Sequence, residues 1–321
     1  MVDYLNTTAW WFALVQALLF AIAAPLLFAW VGRVKARLQN RRGRSLFQPY
    51  RDFYKLFFKE ALVNHNASGV FHVAPYIVFA TTWLAAAVVP LVAIHLPTAA
   101  IADVIVLVGL LALARFFLAL AAMDVATAFG GMGASREMLI AALAEPAMLL
   151  AVFTLAMTAH TTNLSSVIDH VLNAGIILRP SYLFALLSLL LVAVAESGRI
   201  PIDNPSTHLE LTMVHEAMIL EYSGRHLALM EWAAQLKLMI YGVLIANVFF
   251  PWGIATTFET SAILTGLAAI ALKLCFLGVL LAISETVLAK MRLFRVPQYL
   301  NLAILLALLG MLSHVILEVG A

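Results

Sequence analysis

The sequence predicts an all-α integral membrane protein with about eight transmembrane helices. Of its 321 residues, 64% are hydrophobic and 11% are charged, whereas about a quarter of the residues in a soluble domain are charged. Apolar segments of about 20 residues, the length that crosses a bilayer, recur along the whole chain. We therefore expect residues 1–321 to form a single polytopic membrane domain.

Eight segments have the length and apolarity of spans, and no connection between them exceeds about 40 residues. They are residues 10–31, 72–94, 101–123, 135–158, 179–196, 232–253, 261–288 and 298–318. No connection shows a βαβ or hairpin pattern, so a soluble domain is not expected. The segment before the first span has no basic region and contains Asp3, so we expect that span to be retained.

The basic residues are concentrated in every second connection, which predicts the orientation. If the connection after the first span faces inward, then of the basic residues between spans only Arg179 faces outward. The inward-facing set is Arg33, Lys35, Arg37, Arg41, Arg42, Arg44, Arg51, Lys55, Lys59, Arg136, Arg199, Arg225, Lys290, Arg292 and Arg295. With eight crossings, both termini then face the outer side.

The first inner loop, residues 32–70, contains a segment from Gln48 to Glu60 that is amphipathic at helical spacing. Its apolar positions are Phe53, Leu56, Phe57 and Ala61, and its basic positions are Arg51, Lys55 and Lys59. We predict a helix that lies in the inner membrane interface. A docking surface for a partner subunit is an equally good use of it, and an ordinary basic loop is the alternative.

Charged residues within spans are energetically expensive and usually functional. Arg115, Lys237 and Lys273 lie inside predicted spans, where long basic side chains can extend toward the interface. Lys273 is too central for this and therefore requires a partner. Glu285 lies twelve residues further along the same helix, about 18 Å away, so the partner has to come from another helix.

Glu145, followed by Pro146, is an acidic residue of the fourth predicted span. Near a cation or a water-filled cavity, such a carboxyl group can exchange protons, and we expect other carboxylates at a similar depth. The alternative is a permanently neutral group that hydrogen-bonds between helices.

Gly130, Gly131 and Gly133 follow Asp124, the end of the third span, and predict a tight re-entry into the fourth helix. A phosphate-binding loop is excluded, because it would need a preceding strand and a Lys-Ser/Thr pair. Cys275 is the only cysteine, which excludes a disulfide within the chain and a cysteine-ligated cluster. We expect this cysteine to be a small buried apolar residue.

Residues 197–231 form an acidic inner loop in which local signals predict structure. The prolines of IPIDNP disfavour helix, whereas Thr207 followed by Glu210 matches a capping box. We predict a helix from Thr207 to Tyr222, with Gly224 capping its end. A zinc site is not expected, because HEAMI lacks the second histidine of the H-E-x-x-H pattern.

The segment Ala195–Asp203, AESGRIPID, resembles the A-E-T-N-R-x-P-F-D segment of a membrane subunit of proton-translocating NADH:quinone oxidoreductase. That subunit, known as subunit 1 of the enzyme, anchors the peripheral arm. Glu210-Leu211 and Glu221-Tyr222-Ser223-Gly224 resemble the family's E-L and E-Y-S-G elements, and Gly133-Ala134-Ser135-Arg136 with Glu145 resembles its G-x-x-R…E element. The motifs occur in the family's order, and with the topology the resemblance covers nearly the whole chain.

A longer spacer points to one branch of this superfamily. Residues Thr212–Leu220 separate the E-L and E-Y-S-G elements by nine residues, where the quinone enzymes have six. The sequence from His208 to Met218, and onward through FFPWG, is similar to the membrane subunit of energy-linked, membrane-bound [NiFe] hydrogenases. The resemblance is to the branch of hydrogenase-4 component C and formate hydrogenlyase.

The resemblance implies a membrane subunit of a multisubunit oxidoreductase that has no redox cofactor of its own. The [NiFe] centre and the iron–sulfur clusters would lie in partner subunits. The implied partners are hydrogenase large and small subunits, a ferredoxin-like iron–sulfur subunit and antiporter-like membrane subunits, in a bacterial inner membrane. Nucleic acid is not among them.

The resemblance also implies where the chain would act. We expect no catalytic residue and no metal site, but a proton path that couples redox chemistry to ion translocation. Its predicted residues are Asp124, Glu145, Glu196, Asp203, Glu210, Glu216, Glu221, Lys273 and Glu285, with Arg136 and Arg199 as charge partners. The predicted docking residues for the peripheral arm are Arg41, Arg42, Arg44, Arg51, Lys55, His208 and His215.

Three alternatives remain. The equivalent subunit of a quinone-reducing complex has the same architecture, although the nine-residue spacer argues against it. A stand-alone transporter would show inverted repeats, and no convincing repeat relates residues 1–160 to 161–321. A purely structural anchor would retain proton coupling after Glu145→Gln and Glu196→Gln.

Overall fold

The computed structural model describes residues 7–64, 67–94, 96–174, 179–204, 213–257 and 259–319. Over these residues the chain is helical and contains no β-strand. The α-helices are α1 Thr7–Leu38, α2 Gln48–Phe57, α3 Gly69–Val88, α4 Val104–Asp124, α5 Ala128–Ala159, α6 Leu164–Ala174, α7 Pro180–Glu196, α8 His215–Ile219, α9 Gly224–Leu244, α10 Thr260–Val287 and α11 Val296–His314. Turns of 3-10 helix occupy Pro97–Ile101 and Leu293–Arg295, and π-helical turns extend α9 through Ile245–Phe249 and α11 through Val315–Val319.

Seven helical segments of the described chain are long and apolar enough to cross a membrane. These segments contain α1, α3, α4, α5, α9, α10 and α11. α7 is also apolar but has only 17 residues, and it lies where the sequence predicts the fifth of eight spans. The chain is therefore a multi-pass membrane protein.

The predicted glycine re-entry before the fourth helix is wrong, because α5 begins at Ala128 and includes all three glycines. The chain turns instead at Ala126, whose φ is 57°. Thr127 then caps α5 by accepting a hydrogen bond from the Gly130 amide at 3.2 Å. Gly133 lies within α5 and lets the chain before α8 approach, since a Cβ atom there would be 2.9 Å from a carbonyl oxygen of that segment.

The predicted helix from Thr207 to Tyr222 is right for only half of the part that can be compared, residues 213–222. Residues 205–212 lie outside the described residues, and α8 includes only His215–Ile219. α8 begins there because the Asp203 carboxylate accepts hydrogen bonds from the amides of Val214 and His215, at 3.1 and 3.2 Å. Gly224 does not end this helix; with a φ of 54° it is the first residue of α9.

Small residues allow the helices around the centre of the molecule to approach closely. α5, α7 and α11 pack against one another, and α9 packs against α1 and α3. The fully buried alanines of α5, α7 and α11 are Ala144, Ala147, Ala151, Ala185, Ala303 and Ala307. Close packing brings the charged residues of these helices within reach of one another.

Pro25 and Pro75 lie inside helices, and each leaves one backbone carbonyl without its helical hydrogen bond. In both cases an aromatic side chain donates a hydrogen bond to that carbonyl instead. Pro25 has no N–H to donate to the carbonyl of Ala21, and the indole of Trp232 in α9 donates to that oxygen at 2.9 Å. Pro75 releases the carbonyl of Phe71 in the same way. The hydroxyl of Tyr222, just before α9, donates to it at 3.1 Å.

The predicted amphipathic helix in the first inner loop is present as α2, but it ends at Phe57. Ala61 is therefore not on its face. Phe53 is buried and stacks on Trp232, with ring centroids 5.5 Å apart. The location of α2 in the membrane interface stays a prediction. The expectation for Cys275 is wrong, because it is exposed on α10.

Candidate functional site

Five charged side chains meet between α4, α5, α7 and α9, in what we call the central cluster. The cluster consists of Arg115 of α4, Glu137 and Glu145 of α5, Glu196 of α7 and Lys237 of α9. Four separate helices thus contribute to one group of charges. Since charges within spans are expensive, such a convergence indicates a functional site.

Arg115 is the centre of this cluster and is only 4% exposed. Its Nη1 and Nη2 atoms donate to the carboxylates of Glu145 and Glu196, respectively. Its Nε atom lies 3.3 Å from Oε1 of Glu137. One planar guanidinium therefore holds three carboxylates, a use for which its forked donors are suited.

Lys237 contacts the same carboxylates from α9. Its Nζ atom is 2.9 Å from Oε2 of Glu196 and 4.0 Å from Oε1 of Glu137. Glu196 is consequently shared between two cations, and its side chain is only 1% exposed. Glu145 is the most accessible carboxylate of the cluster, with 32% of its side chain exposed.

The central cluster has one more carboxylate than it has cations. With all five side chains ionised, the cluster carries one negative charge that no cation balances. Among the described residues, Oε1 of Glu196 and Nε of Arg115 are buried without a hydrogen-bond partner, and such atoms commonly bind internal water. Pro146 also releases the carbonyl of Ala142 beside Glu145. An unbalanced charge, two buried polar atoms without a hydrogen-bond partner and a released carbonyl thus occur together at this cluster.

The cations that pair with Glu145 and Glu196 differ from those predicted from the sequence. Arg136 donates instead to the Met213 carbonyl at 2.9 Å, and Arg199 pairs outside the central cluster. Arg115 and Lys237 were not predicted as partners, because the sequence analysis assumed that their long side chains extend toward the membrane interface. Position was the available signal: Arg115 lies about 14 Å from the nearer end of α4 at 1.5 Å per residue, too far for its side chain to reach.

A second group, which we call the rim cluster, connects the end of α1, the chain after α7 and the end of α10. It consists of Lys35, Arg199, Asp203, Glu285 and Lys290. Glu285 lies 2.7 Å from Nζ of Lys35 and 3.2 Å from Nη1 of Arg199. Asp203 lies 3.1 Å from Nζ of Lys290. Here two carboxylates meet three cations.

Other predicted path residues lie outside both clusters. Asp124 accepts a hydrogen bond from the Ser68 amide at 2.8 Å, just before α3. Lys273 donates to Asn247 at 3.4 Å and lies 5.0 Å from the ring centroid of Trp252. The predicted partner from another helical segment is therefore confirmed, although it is a neutral amide. Glu216 and Glu221 are half-buried.

The predicted docking residues divide into three groups. Arg41, Arg42, Arg44, Arg51 and Lys55 are exposed, whereas His215 is half-buried. His208, like the path residue Glu210, lies outside the described residues. Within the described ranges, no group of three or more His, Cys, Asp or Glu residues is placed to hold a metal ion.

Comparison with known proteins gives a consistent result. The family described as NADH dehydrogenase matches residues 12–317. The chain is 33% identical to formate hydrogenlyase subunit 4 of Escherichia coli K12, over 89% of this chain and 92% of the relative. It is 34% identical to hydrogenase-4 component C of the same organism, over 88% of each.

Among solved structures, the chain resembles one from the membrane-bound sulfane sulfur reductase, an archaeal respiratory membrane complex. The TM-score is 0.81 at 18% identity, over 95% of this chain and 99% of that chain. The two chains share the fold.

Proposed function

We propose, for a chain that belongs to the NADH dehydrogenase family, that it is the membrane subunit of a hydrogenase complex of the formate hydrogenlyase and hydrogenase-4 type. Its similarity to formate hydrogenlyase subunit 4 and hydrogenase-4 component C extends over nearly its whole length and supports this assignment. The chain would be a multi-pass subunit of an oxidoreductase in the bacterial inner membrane. It would anchor the peripheral arm and carry protons that couple the redox reaction to ion translocation.

In this proposal, the redox chemistry belongs to the partner subunits. The [NiFe] centre lies in a large subunit, iron–sulfur clusters lie in a small subunit and in a ferredoxin-like subunit, and antiporter-like subunits lie beside the chain in the membrane. The exposed basic residues of the first inner loop support a docking role. They are Arg41, Arg42, Arg44, Arg51 and Lys55.

The observation that carries the coupling proposal is the unequal charge of the central cluster. With all groups ionised, its three carboxylates and two cations leave one negative charge. An unbalanced charge in the membrane interior is costly, so uptake of one proton stabilises the cluster. We assign the exchange with water to Glu145, because it is the most accessible carboxylate, and the buried end of the path to Glu196.

A nearby change of charge or geometry in the peripheral arm would alter the proton affinity of this cluster. Each pKa unit of such a change corresponds to about 1.4 kcal/mol, which is the free energy available to bias proton uptake or release. Asp203, Glu216 and Glu221 remain the proposed approach to the cluster from the inner side.

A pull-down tests the assignment of the complex. The tagged chain is purified in mild detergent, the co-purifying subunits are identified by mass spectrometry, and nickel is assayed. We expect a nickel-containing large subunit and iron–sulfur subunits. Recovery of flavin and quinone-site subunits without nickel would indicate a quinone-reducing complex instead. Recovery of a stable chain alone would favour a stand-alone transporter.

A further inference from the structure

The segment Glu221–Gly224, E-Y-S-G, connects two parts of the chain that are distant in sequence. Its last residue, Gly224, begins α9, and the segment contacts residues 59, 60 and 62 of the linker between α2 and α3, as well as Phe71 of α3. The proton path proposed above uses only its glutamate. Ser223 and Gly224 contact the α2–α3 linker and Tyr222 contacts the start of α3, and each contact has a different physical basis.

Tyr222 attaches the start of α3, where the linker ends. Its ring stacks on Phe71 with centroids 4.0 Å apart and an interplanar angle of 3°, and its hydroxyl donates to the Phe71 carbonyl released by Pro75. Burial raises the pKa of Tyr222 above its usual value. The phenol therefore keeps the proton that this hydrogen bond requires.

Ser223 attaches the middle of the linker. The Leu62 amide donates to Oγ of Ser223 at 2.8 Å, and the Ser223 hydroxyl donates to the Leu62 carbonyl at 3.1 Å. One side chain thus satisfies both backbone groups of a residue 161 positions away. Alanine at this position would remove both bonds.

Gly224 allows the linker to approach the start of α9. Its φ of 54° favours glycine. A Cβ atom on Gly224 would also lie 2.6 Å from the carbonyl oxygen of Glu60 and 2.7 Å from that of Lys59. Both the conformation and the available space therefore require glycine here.

α2 is attached to the same part of α9 by a second route. Phe53 stacks on Trp232, and the ring of Phe57 meets Trp232 edge-on with centroids 6.4 Å apart. α2 and the linker are therefore both attached to the start of α9. Aromatic packing on Trp232 attaches α2, and the E-Y-S-G segment attaches the linker.

Three helices around this attachment carry acidic residues: Asp52 precedes Phe53 in α2, Glu231 precedes Trp232 in α9, and Glu216 lies in α8. Glu231 of α9 is close enough to be repelled by Glu216 of α8 and by Asp52 of α2. α8 is joined to α9 through the E-Y-S-G segment itself. A displacement of α2 relative to this segment would therefore change the repulsion among the three carboxylates.

We propose that Tyr222, Ser223 and Gly224 form a clamp that transmits the position of α2 to the acidic residues of α8 and α9. They are positioning residues and carry no proton. The inference rests on the proposed function, in which the basic side of α2 contacts the peripheral arm. When the arm binds and shifts α2, the clamp would change the electrostatic environment of Glu216 and Glu231.

A distance measurement in the purified complex tests the clamp. Spin labels are placed on cysteines introduced at Tyr54 of α2, which is not among the docking residues, and at Leu220, both exposed, in a chain whose only cysteine is replaced by Cys275→Ser. Gly224→Ala and Ser223→Ala break the clamp, whereas Ser223→Thr keeps the hydroxyl. Ser313→Ala is the matched control, because the Ser313 hydroxyl bonds within α11, to the Gly310 carbonyl at 2.9 Å.

We expect one narrow distance in the parent chain, in Ser223→Thr and in Ser313→Ala, and a broadened or shifted distance in Gly224→Ala and Ser223→Ala. The same two variants should translocate fewer ions per hydrogen formed, while the rate of hydrogen formation in detergent is unchanged. A merely structural role would not lower that ratio. If the complex with Gly224→Ala does not assemble, the comparison of Ser223→Ala with Ser223→Thr tests the clamp by itself.

Two outcomes overturn the inference: a distance that is the same in all variants, or a broadened distance with an unchanged ion-to-hydrogen ratio. Failure of the proposed function would look different. No nickel-containing subunit would then co-purify, and an unaltered distance in the isolated chain would still overturn the clamp.

Discussion

The central cluster and the rim cluster contain the same kinds of side chain in opposite proportions. Three carboxylates and two cations meet in the central cluster, and two carboxylates and three cations meet in the rim cluster. Glu196 and Arg199, three residues apart, connect the two. An excess of carboxylate suits proton exchange, whereas an excess of cation suits the fixing of chain segments.

The clusters also differ in how many carboxylates share one cation: Arg115 pairs with three and Lys237 with two, whereas each cation of the rim cluster pairs with one. Glu145 and Glu137 depend largely on Arg115, whereas Glu285 is held by both Lys35 and Arg199. Loss of one cation should therefore be more damaging in the central cluster than in the rim cluster. Substitutions can test this difference directly.

The largest effect is expected from Arg115→Met. It would leave three carboxylates with Lys237 alone, and breaking a buried ion pair in this way costs about 3–5 kcal/mol. We expect a clear loss of assembled complex on native gels and a lower melting temperature. Arg292→Met, at an exposed arginine, is the matched control. Adding Glu196→Gln should restore part of the loss, and wild-type stability in Arg115→Met would contradict the central role of this residue.

Glu196→Gln should separate coupling from assembly. The amide preserves size and still accepts hydrogen bonds from Arg115 and Lys237, but it cannot carry a proton. We expect an assembled complex whose coupled turnover falls about tenfold or more, since a positioned proton-transfer group contributes at least that much. The exposed Glu259→Gln is the control. A variant that translocates ions like the parent chain would remove Glu196 from the path.

Arg199→Ala is expected to have an intermediate effect. Glu285 would keep Lys35 at 2.7 Å, so the loss of stability should be about 1–3 kcal/mol, less than for Arg115→Met. The complex should assemble with a coupled turnover reduced less than in Glu196→Gln. Thermal denaturation of Arg199→Ala, Lys35→Ala and the double variant measures the redundancy. Strictly additive losses would show that the two cations do not substitute for each other.

The smallest loss of stability is expected from Lys273→Met, outside both clusters. Asn247 would keep its bonds to the carbonyls of Pro90 and Leu91, at 2.8 and 3.0 Å. We expect the stability to change by about 1 kcal/mol or less, as measured by the melting temperature. A loss of stability as large as that of Arg115→Met would mean that Lys273 neutralises a negatively charged group, which would contradict its pairing with the neutral Asn247.

The sequence predicted the membrane-spanning elements well, because the bilayer imposes a length and an apolar composition on each of them. It predicted the connections poorly. The start of α8 depends on Asp203, whose carboxylate bonds to amides eleven and twelve residues away, and no local pattern encodes such a contact. The capping box at Thr207 suggested another start.

Most of the carboxylates of the central cluster were found from the sequence, but their cations were not. A resemblance to known motifs identified Glu145 and Glu196, whereas Arg115 and Lys237 lie on helices whose neighbours the sequence does not reveal. Helical periodicity tells which face a residue occupies, not which helix it meets. The central position of Arg115 in α4 was the one local sign that it needed an internal partner.

The two carbonyls released by Pro25 and Pro75 have a consequence for biogenesis. Their donors, Trp232 and Tyr222, lie far later in the chain, so they reach the membrane only after α1 and α3 have been inserted. Until then, the uncapped Ala21 carbonyl, which lies within the first span, is unfavourable in hydrocarbon by several kcal/mol. α1 and α3 therefore complete their hydrogen bonding only after α9 has been inserted. A chain truncated before α9 would expose an unpaired carbonyl, and we expect membrane proteases to degrade it.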